Sequence, residues 1–196
     1  MKKVITLLLT AAAISFPSCT GATVNPYVSI TPGIGLMNNW DQNNITGAIT
    51  FRNGFAASGA IGLKNDFTRI EAAVGYQHNL VDTFLGAKAI NDGSNVDFWT
   101  FMANGYVDYE MKGAAITPYL MAGLGVADVC LNDNVKSENH STFVWQIGAG
   151  AGFRASEKVI VDLGFRYLSP SNITSDSGNR YSMSSSNILA GIRYTF

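Results

Sequence analysis

Cysteine and histidine are nearly absent from this chain, and their scarcity removes whole classes of function. Its 196 residues include only Cys19 and Cys130, and only His78 and His140. Two cysteines, one of them close to the N-terminus, cannot build a disulfide framework or a thiolate metal centre. Charge is also sparse, at 14% of residues, where a water-soluble domain carries about a quarter. Neither sign dominates and no basic stripe runs along the chain, so nucleic acid is not a partner. No stretch beyond residue 22 stays apolar for the ~20 residues that a membrane-crossing helix needs. Glycine, by contrast, is plentiful at 20 residues.

The N-terminus reads as an export segment. Lys2 and Lys3 are followed by an apolar stretch from Val4 to Phe16 and small residues through Ala22, the three zones of a secretory signal peptide. Cleavage is expected after Ala22, leaving residues 23–196 as one domain. A lipid anchor on Cys19 is the alternative, although Phe16-Pro17-Ser18 is a poor approach to such a site. If Cys19 is removed, Cys130 is a lone thiol, best read as a small apolar residue near a strand end.

The rest of the chain alternates. At the C-terminus Ile188, Ala190, Ile192, Tyr194 and Phe196 share one face, and Leu189, Gly191, Arg193 and Thr195 the other. Successive strand residues point to opposite faces, so this period of two marks a strand with unlike sides. The same reading gives eight strands: Tyr27–Met37, Phe55–Lys64, Phe67–Gln77, Phe98–Tyr109, Thr117–Val129, Phe143–Arg154, Val159–Leu168 and the C-terminal strand. Ile45 to Arg52 could extend the second strand upward. Tight connections (Asn65-Asp66, Met111–Ala115, Ala155–Lys158) alternate with long ones (Asn38–Gly54, His78–Asp97, Cys130–Thr142, Ser169–Ser186). Low charge, abundant glycine, alternation and this loop pattern together predict an all-β, eight-stranded antiparallel up-and-down transmembrane barrel in a bacterial outer membrane. Short turns and both termini would be periplasmic, and long loops extracellular. Aromatics near strand ends (Tyr27, Phe67, Tyr76, Trp99, Tyr109, Phe143, Phe153, Tyr167, Tyr194, Phe196) are expected to form the interfacial girdles.

The block Phe101-Met102-Ala103-Asn104-Gly105-Tyr106-Val107-Asp108-Tyr109, followed by Thr117-Pro118-Tyr119-Leu120-Met121-Ala122-Gly123-Leu124-Gly125-Val126, resembles the centre of small bacterial surface-antigen barrels. These are the opacity-protein-like and rickettsial surface-antigen-like outer-membrane proteins. Gly164-Phe165-Arg166-Tyr167-Leu168 and the terminal Gly191-Ile192-Arg193-Tyr194-Thr195-Phe196 are similar too. The resemblance implies a rigid barrel with variable exposed loops. It also implies that Tyr194 and Phe196 are read by the barrel-assembly machinery during insertion.

An eight-stranded barrel has an interior just wide enough for side chains. The phasing places Arg69, Glu71, Asn104, Asp108, Gln146, Arg154, Asp162, Arg166 and Arg193 there. Unpaired charges would be costly inside, so a network of ion pairs and waters is expected. The inward glycines of the fifth and sixth strands leave room for larger groups opposite. No catalytic residue, cofactor or metal ligand is assigned. The faint exception is His140-Ser141-Thr142, whose His/Ser pairing resembles that of barrel-type lipid A deacylases. Adjacent strand residues face opposite ways, so His140 joins Thr142 rather than Ser141. Among the loops, Trp40 in the first and Arg180 and Tyr181 in the fourth are candidate contact residues. The fourth loop is otherwise small and polar, a composition that stays mobile. The leading reading is a monomeric surface antigen or envelope structural protein, an adhesin where its loops contact host-surface or matrix ligands, with membrane lipid and lipopolysaccharide around it. A narrow-pore channel is the second reading and a lipid A-modifying enzyme the third.

Overall fold

The computed structural model describes residues 24–42, 45–84, 87–88, 95–111, 113–132, 137–171, 173–174, 180–182 and 184–196. The export segment falls outside these residues. Among the described residues the secondary structure is all strand: β1 (Asn25–Met37), β2 (Trp40–Gln42), β3 (Ile45–Phe51), β4 (Gly54–Lys64), β5 (Thr68–Phe84), β6 (Ala87–Lys88), β7 (Asn95–Asp108), β8 (Ile116–Asn132), β9 (Ser137–Arg154), β10 (Val159–Pro170), β11 (Ile173–Thr174), β12 (Arg180–Ser182) and β13 (Ser185–Thr195).

Eight of these close a barrel in the order β1-β4-β5-β7-β8-β9-β10-β13, each antiparallel to the next, with β13 returning to β1. Closure matters because an open edge would leave backbone N–H and C=O groups unpaired in hydrocarbon. A line of paired residues leaves β1 at Tyr27 and passes Gly62, Glu71, Asn104, Gly123, Gln146, Leu168 and Ser185. It re-enters β1 at Met37, so the shear runs from residue 27 to residue 37, ten positions. Strands in such a barrel tilt by about 35–45° from its axis.

The outer face is greasy. Ile61 is 66% exposed and Leu120 67%, with Ile30, Leu124, Phe165 and Ile192 similarly bare. A contiguous apolar band of this extent belongs against lipid rather than water. Phe67, Trp99, Tyr109, Phe143, Phe153, Tyr194 and Phe196 are exposed. Tyr76 packs on Trp99, with ring centroids 4.9 Å apart. Tyr27 departs from the girdle: it is buried in the lumen. Its parity should have said so, since Val28 and Ile30 are the outward residues of that strand.

The second barrel strand begins after Asn53, at Gly54, and β3 continues its line against β5 above a break at Arg52–Asn53. Asn79 staples the break by donating to the carbonyls of Arg52 (2.9 Å) and Gly35 (3.0 Å). Two of the long connections are shorter than expected. The β5–β7 pairing runs up to Leu80↔Asn95, and the β8–β9 pairing to Asn132↔Ser137. Most of His78–Asp97 and Cys130–Thr142 is therefore strand, and Cys130 is a free cysteine within β8 rather than beyond its end.

Candidate functional site

The lower half of the lumen, near the short turns, carries the charge. Arg69 on β5 donates through Nε to both oxygens of Asp108 on β7 (3.0 and 2.9 Å). Its guanidinium lies over the rings of Tyr106 (4.1 Å) and Tyr119 (4.8 Å). Lys64 reaches to 3.9 Å from Asp108 and pairs with Glu110 at the mouth. On the opposite wall Arg193 grips Asp162 through two N–H groups, each at 3.0 Å, beside the Tyr27 ring. The Arg193–Asp162 pair, with two parallel N–H···O bonds, is the strong form of the arginine–carboxylate contact.

Glu71 has a different environment. Its carboxylate accepts from Tyr27 Oη (3.0 Å), Tyr106 Oη (2.5 Å) and Asn104 Nδ2 (2.9 Å), all neutral donors. Asn104 in turn accepts from Gln146 Nε2 at 2.5 Å. Gln146 is 1% exposed, so an unpaired amide there would carry a full desolvation penalty. Tyr27, Glu71, Asn104 and Gln146 lie on the single register line that spirals round the barrel, with Gly62 and Gly123 between them. A Cβ on Gly62 would collide with the Tyr27 ring, and one on Gly123 with the Asn104 amide. The bare backbone at those two positions lets the row of side chains reach across its neighbours.

The upper half is filled by uncharged groups. Met37, Val96, Phe98, Met102, Val129, Val144 and Leu168 form one buried apolar cluster. Beside it Ser185 donates to Gln77 (2.9 Å), and Gln77 to Asn79 (2.7 Å). Between the halves sits Arg166, which lines a cavity of about 30 Å³ below it and another of about 30 Å³ above.

Of the residues expected inside, Arg69, Glu71, Asn104, Asp108, Gln146, Asp162, Arg166 and Arg193 meet in or along this interior. Arg154 does not. It is exposed at the last position of β9, pairing with Ile160 one step from the Ala155–Lys158 turn, where inward parity opens to water. Tyr27, Tyr106 and Tyr119 complete the site, although only charged and amide groups had been singled out.

The loop candidates are brought together by backbone pairing. β12, which carries Arg180 and Tyr181, pairs with β2 (Tyr181↔Gln42), and β2, which carries Trp40, pairs with β3 (Trp40↔Ile49). β3 pairs with β5 and β12 with β11, so segments of the first, second and fourth loops form one sheet above the barrel. In the fourth loop, residues 172, 175–179 and 183 lie outside the described residues. Near the rim the His78 ring nitrogen lies 2.8 Å from Asp97, and Tyr76 Oη donates to the same oxygen at 2.7 Å. The Ser141 hydroxyl donates to Asp128. The side chain of His140, the histidine of the His140-Ser141-Thr142 pattern, lies outside the described ones.

The profile of the outer membrane protein beta-barrel domain matches residues 5–196. The chain belongs to this family. Outer membrane protein PagN of Salmonella typhimurium is 29% identical over 129 residues, which are 55% of this chain and 53% of PagN. The alignment thus spans about half of that relative's length. Neisserial surface protein A superposes with a TM-score of 0.64 at 16% identity, over 89% of this chain and 99% of that one. Ail, the attachment invasion locus protein of Yersinia pestis, was solved with the heparin analogue sucrose octasulfate. It superposes with a TM-score of 0.52 at 13% identity, over 87% and 99% of the two chains. At those identities the structural likenesses speak for the fold. The family assignment makes the apolar outer band a lipid face, and the protein is an outer-membrane barrel.

Proposed function

We propose that this family member works from its rim, as an adhesin-type surface antigen whose barrel is a closed support. The observation that carries the reading is the small sheet that ties segments of three loops together, with Trp40, Arg180 and Tyr181 on its neighbouring strands β2 and β12. Binding residues concentrate on loops presented by a rigid scaffold, and a hydrogen-bonded rim loses less entropy on engaging a ligand than free loops would. The ligand class is a host-surface or matrix component. The Ail complex makes a sulfated polysaccharide the first to try.

In this reading residues 1–22 are the export signal. Tyr194 and Phe196, whose rings meet edge-to-face at 5.5 Å, form the assembly signal. The barrel is a monomer set in lipid and lipopolysaccharide, and it has no catalytic role. The narrow-channel reading ranks second. Arg166 between two cavities favours it, but an ion would have to shed its water among the uncharged groups above.

Display of the full chain on a non-adherent bacterium tests the proposal. Binding to host cells and to immobilised heparin is compared before and after replacement of residues 38–53 and 171–184 by short turns. Loss of binding, with the barrel still resistant to mild detergent unfolding, supports the reading. Equal binding in both forms, or none in either, defeats it.

A further inference from the structure

The lower cavity has a surplus of donors. Arg69 and Arg193 are 4% and 3% exposed, and each spends one side of its guanidinium on a carboxylate. The remaining groups, Arg69 Nη2 and Arg193 Nη1, have no acceptor within reach among the described residues. Both side chains line the same cavity of about 30 Å³, together with Arg166, Glu71, Asp162 and Tyr119. Arg166 makes no hydrogen bond or ion pair there among the described residues. The carboxylates are turned toward other donors. Asp108 and Asp162 are engaged by Arg69 and Arg193 from the other side, and Glu71 already accepts three bonds.

We propose that this cavity is a binding site for one small inorganic anion of halide size, held by the guanidinium groups of Arg69, Arg193 and Arg166. Guanidinium groups only donate. A water placed among them would satisfy them but would have to turn two hydrogens of its own toward the hydroxyls and carboxylates of the wall. An anion accepts from every side and returns nothing. Three guanidiniums and two carboxylates line the cavity, with Asp108 behind Arg69. A space of this size admits about one or two water-sized species, so chloride is the natural occupant. Bound there, it would lock the two ion-paired walls together through Arg166 and bar the lumen to further anions.

The test uses the full-length mature protein, crystallised with sodium bromide in place of chloride and measured at the bromine absorption edge. An anomalous peak in the lumen, within hydrogen-bond reach of Arg69 and Arg193, is expected, and it should fall by at least half in Arg166→Met. Water density without anomalous signal in the wild-type cavity overturns the proposal, as does a peak unchanged in the variant. If Arg166→Met does not assemble, the wild-type thermal midpoint decides. It should rise when gluconate is replaced by chloride at constant ionic strength, and an unchanged midpoint overturns the site.

Discussion

The two halves of the lumen solve the same packing problem with opposite chemistry. Below, arginines, carboxylates and tyrosines hold one another across the barrel. Above, Val96, Phe98, Val129, Val144 and Leu168 fill the space, with neutral amides bonded to each other and to backbone carbonyls. The lower half gains specificity: each charge needs a particular partner, and a wrong register would leave charges buried alone. The upper half gains closure, because apolar side chains fill much of its width around neutral groups bonded to one another. A barrel polar throughout would invite water along its length. This one has a charged foot and a dry top.

The sharpest way to break the contrast is to strand a charge. Arg193→Met leaves the half-buried Asp162 inside the lumen without its partner, and about 3 kcal/mol of stability should be lost. Urea unfolding in lipid vesicles measures this. Replacing both partners with apolar residues of similar size should cost much less than either single change. In the upper half no such coupling exists. Phe98→Ala should cost about 3–5 kcal/mol through the cavity it leaves, and that cost should add to the Arg193→Met cost when the two are combined. Gly123→Ala probes the register line between the halves. Its Cβ displaces the Asn104 amide from Gln146, and overpacking of this kind costs about 1–3 kcal/mol. Smallest of all, Arg154→Ala should leave the midpoint where it is, because Arg154 stands outside both halves. A large effect there would mean that the charged half extends below β9.

Much of this arrangement was legible in the chain. Strict alternation in β7 assigned Trp99, Phe101 and Ala103 outward and Asn104, Tyr106 and Asp108 inward, because one register shift would invert every side chain. The turn positions were equally clear, since Asn65-Asp66 and Ala155–Lys158 interrupt the pattern with polar residues. The dry top was not visible. Its inward residues Val96 and Val129 lie where β5, β7, β8 and β9 outgrow the membrane, and there the outward positions turn polar (His78, Asp97, Asp128). Such a stretch loses its greasy face and reads as loop. The loop sheet was missed for a related reason, because its pairing joins segments far apart in sequence that have no alternation of their own. The glycines at 62 and 123 were recognisable as inward, but the side chains that would cross them depend on the shear, which a single strand does not encode.

The central claim is that the lumen is closed by its uncharged upper half. The most direct measurement is single-channel recording of the purified protein in a planar bilayer. No stepwise conductance is expected from the wild type, while Phe98→Ala combined with Val129→Ser should introduce steps by opening the dry section. Regular conductance steps in the wild type, sensitive to Arg166→Met, would contradict the account and make the barrel a channel.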